Sequence, residues 1–249
     1  MTDLTSIDVQ KLKDPPALGR SAAQLAAQYI NAAIAEKACA NIILATGTSQ
    51  FETLKNLTQA NIDWSKVNLF HLDEYLGISA DHPASFCAYL QERFIDQVTP
   101  LNTVHLISGA QAKAEATCRD LSQQIAHHPI DVALIGIGEN GHLAFNDPPA
   151  DFAMMEPFIV VTLDEACRQQ QLGEGWFPTL EEVPTKAISM SIQQIMKSKC
   201  LIVSVPDLRK AKAVKAALQG PVDPMQPASI LQTHPQCHLF LDEASASLL

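Results

Sequence analysis

Six short apolar runs, at 41–45, 67–72, 132–137, 159–163, 201–205 and 238–241, punctuate the chain, and segments with helical periodicity fill several of the intervals between them. Runs of this kind, alternating with helices, mark the strands of a mostly parallel sheet covered on both faces. Segments 18–37, 112–126 and 208–218 place apolar residues three and four positions apart, so they are expected as the covering helices. The expected fold is therefore α/β and Rossmann-like: an open, mostly parallel sheet flanked by helices. No composition break or linker divides residues 1–249, so a single domain is expected. Right-handed crossovers then gather the C-terminal ends of the strands along one edge, where open α/β sheets bind ligands. Stretch 169–185, with Gly173, Gly175, Pro178 and Pro184, is expected as a long loop, a surface loop in preference to a lid.

Composition closes several routes. Seventeen basic against 27 acidic residues give a formal net charge of −10 with no basic stripe, so a nucleic-acid partner is not expected. No apolar run approaches the ~18 residues of a membrane span, and the start, Met1 to Asp8, lacks the basic and apolar regions of a leader peptide. A cytosolic protein is expected. Its six cysteines (Cys39, Cys87, Cys118, Cys167, Cys200 and Cys237) stand singly, with neither CxxC pairs nor zinc-motif spacing, so neither a disulfide framework nor a metal site is expected. Cys39 and Cys200 adjoin strand runs and read as small hydrophobes.

Three segments at strand C-terminal ends carry groups suited to chemistry. Thr46-Gly47-Thr48-Ser49 follows the first run and precedes a helix; glycine permits close backbone approach and the hydroxyls donate, as an anion such as phosphate requires. The same residues also serve as an ordinary helix cap, and the spacing is not that of a Walker A loop. Phe70-His71-Leu72-Asp73-Glu74-Tyr75 runs an apolar strand into two adjacent carboxylates. If the strand persists, only one of the two faces the ligand edge, where desolvation raises a carboxyl toward a useful base, and the other makes a structural contact. A solvated acidic turn is the alternative. Gly136-Ile137-Gly138-Glu139-Asn140-Gly141-His142 then places His142 five residues before Asp147, an imidazole with a carboxylate to orient it. A glycine turn with a surface histidine is the bland alternative. Jointly the three segments fit proton transfer on a phosphorylated sugar; no GxGxxG fingerprint or nucleophile elbow is present.

The ordered set Leu44-Ala45-Thr46-Gly47-Thr48, Leu72-Asp73-Glu74-Tyr75-Leu76-Gly77, His82-Pro83-Ala84-Ser85-Phe86 and Gly138 to Asn146, continuing through Ala187-Ile188-Ser189-Met190, Lys210-Ala211 and Ala228 to Pro235, resembles the glucosamine-6-phosphate deaminase (isomerase) family, within the superfamily shared with 6-phosphogluconolactonase. The resemblance spans nearly the whole chain, and Asp73-Glu74-Tyr75 with Asn140 to Asn146 looks like the deaminase branch. It implies isomerisation of an aldose to a ketose coupled to loss of the amine, giving fructose 6-phosphate and ammonia without metal or organic cofactor. By position, Asp73 would move the proton from C2 toward C1, His142 would open the pyranose ring, and Asp147, with Asn140 beside it, would orient His142. Thr46, Gly47, Thr48, Ser49 and Lys210 would hold the phosphate, with Glu74 and Gly138 also lining the substrate site.

Three departures from the family pattern stand out. Asn140 replaces a common aspartate and Asp147 a glutamate, so any negative charge beside His142 comes from Asp147 alone. A phosphate-binding arginine of relatives falls at Gln171, leaving Arg168 or Arg209 to supply its charge. Relatives activated by N-acetylglucosamine 6-phosphate use basic residues after the histidine turn and a C-terminal extension; 156–160 has no basic residue and the chain stops at Leu249, so no such activation is expected. The galactosamine epimer as substrate, lactone hydrolysis and a non-catalytic sugar-phosphate sensor are the rival readings, and a homo-oligomer is left open.

Overall fold

The computed structural model describes residues 7–98 and 100–249, so residues 1–6, on which most of the leader-peptide expectation rests, lie outside the described residues. In chain order the strands are β1 (Ile7–Leu12), β2 (Ala40–Leu44), β3 (Val67–His71), β4 (Asp73–Tyr75), β5 (Thr103–His105), β6 (Val132–Ile135), β7 (Phe158–Thr162), β8 (Lys186–Met190), β9 (Cys200–Val205) and β10 (Cys237–Asp242). The α-helices are α1 (Pro15–Lys37), α2 (Phe51–Leu57), α3 (Phe86–Leu90), α4 (Asp96–Val98), α5 (Ala114–Ala126), α6 (Glu165–Gly173), α7 (Ile192–Met196) and α8 (Ala211–Gln219). Seven strands make one sheet in the order β1-β10-β9-β6-β2-β3-β5, every neighbouring pair parallel.

Every residue of β2, β3, β6 and β9 is buried, which is why these strands read as unbroken apolar runs. Period-two alternation sends Ile42 and Leu44 to the face covered by α1, and Ile43 to the face where α5 and α8 pack. Helix α1 lies close to the sheet because its buried stripe is largely alanine (Ala22, Ala23, Ala26, Ala33). Asp14 Oδ1 accepts from Ala17 N at 2.8 Å, and Pro15 and Pro16 occupy the first turn, so the helix begins three residues before the apolar periodicity does.

Several boundaries differ from expectation. The run at 159–163 is β7, which is not part of the parallel sheet but the edge of a second, antiparallel sheet ordered β4-β8-β7. Its β-branched composition mimics a central strand, yet only Phe158 of β7 is fully buried. Leu208–Lys210 form a 3-10 turn ahead of α8, and Gln111–Lys113 do the same ahead of α5. The loop expected at 169–185 begins inside α6, which runs to Gly173; the rest is a largely exposed loop, anchored by Phe177, which meets Tyr75 edge-on at 5.5 Å, and by the buried Val183.

Strand β2 lies between β3 and β6. The chain leaves β2 in one direction to β3 and β5, then returns to the other side of β2 as β6. The loops after β2 and β6 therefore diverge, and a crevice opens between them.

Candidate active site

A cavity of about 80 Å³, open to solvent at its mouth, occupies this crevice. Thr46, Gly47, Thr48 and Ser49 line it from the end of β2, Asp73 from the start of β4, Gly138 and His142 from the turn after β6, and Lys210 from the turn before α8. The three motif segments of the sequence thus meet at one edge.

Gly47 sits at φ +91°, a conformation costly for any residue with a Cβ. Its carbonyl accepts from Gln50 N at 3.1 Å and from Tyr89 Oη at 3.1 Å, which fixes the turn over the end of β2.

Asp73 and Glu74 divide as strand alternation requires. Asp73 lines the cavity, is buried, and has no hydrogen-bond partner for its carboxylate among the described residues. Burial, with Glu74 beside it, pushes its pKa up to about 8. Glu74, expected to touch substrate, instead accepts from Tyr75 N (2.8 Å), Ser85 Oγ (2.8 Å), Phe86 N (3.2 Å) and Cys87 N (2.8 Å). Its oxygens are committed to the start of α3, so it holds the loop that carries its neighbour.

In the third segment Asn140 acts as a clamp. Its Oδ1 accepts from His142 N at 3.1 Å while its Nδ2 donates to Asp147 Oδ1 at 3.1 Å. Asp147 Oδ2 also accepts from Asp164 N at 3.2 Å. Burial opposes ionisation of Asp147, but His142, Asn140 and the Asp164 N–H outweigh it and hold the carboxyl below its ordinary value. His142 Nδ1 lies 3.2 Å from Asp147 Oδ1, within ion-pair reach, but the approach lacks hydrogen-bond geometry and leaves Nδ1 without a hydrogen-bond partner. Gly138 is needed because the imidazole lies across it: a Cβ there would sit 2.3 Å from both Cε1 and Nε2.

The second sheet ties these parts together. Asp73 is paired with Ser189 across β4 and β8, and Ser189 Oγ accepts from Phe145 N at 3.0 Å on the far side of the histidine turn. Asn146 Nδ2 adds a bond to Met190 O at 2.9 Å.

The cations sort differently from the sequence expectation. Lys210 is buried, lines the cavity and has no salt bridge or hydrogen bond from its ammonium among the described residues. Burial holds its pKa below the ordinary lysine value, with Glu174 and Glu139 partly offsetting this. Arg168 does not reach the cavity; its guanidinium donates to the carbonyls of Val183 (3.1 Å) and Leu180, stapling the segment after α6. Arg209 is held outside by Asp207 (2.9 Å) and Glu139 (3.3 Å). Gln170, Gln171 and Glu174 line the cavity as well. Sequence reading passed over Glu174, for which only the flanking Gly173 and Gly175 gave a signal. The fold also brings Cys167 of α6 to His142 and Asp147, an approach that no sequence spacing announces.

The chain is similar to known proteins over nearly its whole length. The family model for glucosamine-6-phosphate isomerases and 6-phosphogluconolactonase matches residues 13–239. A glucosamine-6-phosphate deaminase of Streptococcus pneumoniae (strain 70585) is 36% identical over 206 residues, 83% of this chain and 86% of that protein. One from Lactobacillus delbrueckii subsp. bulgaricus is 33% identical over 240 residues, 96% of this chain and 97% of that protein. A solved monomeric glucosamine-6-phosphate deaminase superposes with a TM-score of 0.87 at 32% identity, covering 97% of this chain and 100% of that one. A 6-phosphogluconolactonase from Trypanosoma brucei, at 17% identity and a TM-score of 0.81 over 98% of this chain and 99% of that one, shares the fold. With a family model spanning most of its length and full-length relatives above 30% identity, the chain belongs to the glucosamine-6-phosphate isomerase/6-phosphogluconolactonase family.

Proposed function

We propose that the protein converts glucosamine 6-phosphate and water to fructose 6-phosphate and ammonia. The observation that carries this reading is Asp73: a buried carboxyl with no hydrogen-bond partner, its pKa raised to about 8, in the same cavity as a histidine and an unpaired lysine. A lysine and a hydroxyl-rich loop suit a phosphate at one end; a carboxylate near neutral pKa suits abstraction of a proton from carbon at the other.

His142 takes the anomeric hydroxyl proton and returns one to the ring oxygen, opening the pyranose. Asp147, fixed by Asn140 and the Asp164 N–H, stabilises the imidazolium formed in between. Asp73 then removes the C2 proton and delivers it to C1; the resulting C2 imine adds water and expels ammonia. Thr46, Gly47, Thr48, Ser49 and Lys210 hold the phosphate. Arg168 and Arg209 are spent elsewhere, so Lys210 and neutral donors carry that role. The substrate is a free phosphorylated amino sugar, and the setting is the cytosol, consistent with six cysteines that are all unbridged and with the absence, among the described residues, of a helix long and apolar enough to cross a membrane.

Release of ammonia and fructose 6-phosphate from glucosamine 6-phosphate in EDTA tests the reading, run beside galactosamine 6-phosphate and 6-phosphogluconolactone. Turnover of the glucosamine ester with C2-proton exchange is expected. Preference for the galactosamine ester, lactone hydrolysis alone, or binding without product would each overturn it.

A further inference from the structure

His142, Asp147 and Cys167 bring together three donor atoms of different chemistry, an imidazole nitrogen, a carboxylate oxygen and a thiol sulfur, all within 4.8 Å of one another. Nitrogen and oxygen come from the turn after β6; the sulfur comes from the first turn of α6, which returns to that turn because Asp164, the N-cap of α6, donates its N–H to Asp147. Among the described residues no other group of three or more His, Cys, Asp or Glu donors lies so close. The cluster is also chemically incomplete. Nδ1 of His142 is buried without a hydrogen-bond partner although Asp147 Oδ1 is 3.2 Å away, so an atom that should be satisfied faces a donor set that does not satisfy it.

The spacing is that of a soft cation's ligands. Zinc at roughly 2.0–2.1 Å from nitrogen or oxygen and roughly 2.3 Å from sulfur sets tetrahedral ligand atoms roughly 3.3–3.6 Å apart. The Nδ1 to Oδ1 separation, 3.2 Å, is within about 0.1 Å of this range, and the sulfur lies within 4.8 Å of both. One nitrogen, one oxygen and one sulfur select zinc or cadmium over magnesium or calcium, which require oxygen ligands.

We propose that His142, Asp147 and Cys167 form a binding site for a thiophilic divalent cation, zinc foremost, and that the bound ion switches the catalytic centre off. Capture breaks the Cys167 S–H bond, forms a metal–sulfur bond and releases the proton to solvent; nothing is oxidised or reduced. With Nδ1 and the Asp147 carboxylate both on the metal, the imidazole is pinned and loses the partner that stabilises its protonated form. The inhibitory half rests on the function proposed above; the binding half does not.

Titration of the metal-free protein with cadmium chloride, followed by the ultraviolet cadmium–thiolate charge-transfer band, tests binding without reference to activity. Zinc chloride in the turnover assay tests inhibition, each variant being compared with its own metal-free rate. The expected result is a one-to-one band and matching zinc inhibition, both reversed by EDTA. Both should weaken by at least about tenfold in Cys167→Ser, since loss of even an outer partner of a metal ligand costs about that much, and remain unchanged in Cys87→Ser. No band in the wild-type protein, or an unchanged midpoint in Cys167→Ser, overturns the proposal. Should Cys167→Ser fail to fold, Asp147→Asn read by the same band decides, an unchanged midpoint there being equally fatal. A normal cadmium titration in a protein that turns over no amino sugar would count against the functional reading and leave the metal site standing.

Discussion

Replacing Asp73 by asparagine should abolish proton transfer at C2 and, in the same protein, stabilise the fold above neutral pH. Unfolded, the Asp73 carboxyl ionises near an ordinary 3.8; folded, burial and Glu74 hold its proton until about pH 8. Between these values the native state binds more protons than the unfolded one, so the stability that Asp73 contributes at low pH is lost as pH rises toward 8. At about 1.4 kcal/mol per pH unit the loss has a ceiling of about 6 kcal/mol. Solvent at the cavity mouth lowers that ceiling, and we expect a difference of about 2 kcal/mol or more at pH 9. Asparagine keeps the shape and carries no titrating group, so Asp73→Asn should match the wild type near pH 4, gain on it steadily up to about pH 8 and level off by pH 9. Urea unfolding across that range measures the difference directly, and loss of C2 deuterium exchange with phosphate affinity retained reports the chemistry. A stability difference that is flat with pH, or that favours the wild type at pH 9, would show that Asp73 is not held protonated by its surroundings.

Gly138→Ala places a Cβ 2.3 Å from the His142 ring, and the displaced imidazole should lower kcat by about 10²-fold, the cost of a misplacement near 1 Å; kcat close to the wild-type value would mean that the ring does not work from this position. Lys210→Met removes the unpaired cation of the cavity and should raise KM by about tenfold or more while changing kcat less; an effect on kcat alone would place Lys210 at the reacting carbons. Glu74→Gln puts an amide among four donors that now point at a carboxylate and should cost about 2–4 kcal/mol in urea unfolding; an unchanged midpoint would contradict its structural assignment.

The central strands were legible because burial on both faces leaves an unbroken apolar signature, as in Asn41 to Leu44 and Leu201 to Val205. Strand β1 was not, since at the sheet edge it buries none of its residues fully, and β4 was hidden because only Leu72 separates it from β3. The rule that only one of Asp73 and Glu74 could face the cavity follows from the two-residue period of a strand, and the structure divides them so. The fate of Arg168 could not be read in advance. It is decided by the carbonyls of Leu180 and Val183, whose positions depend on how the chain packs after α6. Nor could the approach of Cys167 to His142, which depends on α6 docking through a backbone N–H rather than through a side chain.

The pairing of Asp73 with Ser189, whose hydroxyl in turn receives Phe145 N, has a mechanical consequence. Residues 73 and 142 leave different strands of the large sheet, so the twisting that all such sheets undergo would by itself vary the gap between the base and the imidazole. The small sheet works as a spacer bar: Asp73 lies in it and the histidine turn is hydrogen-bonded to it through Phe145 and Asn146, so twisting of the large sheet carries the two groups together rather than apart.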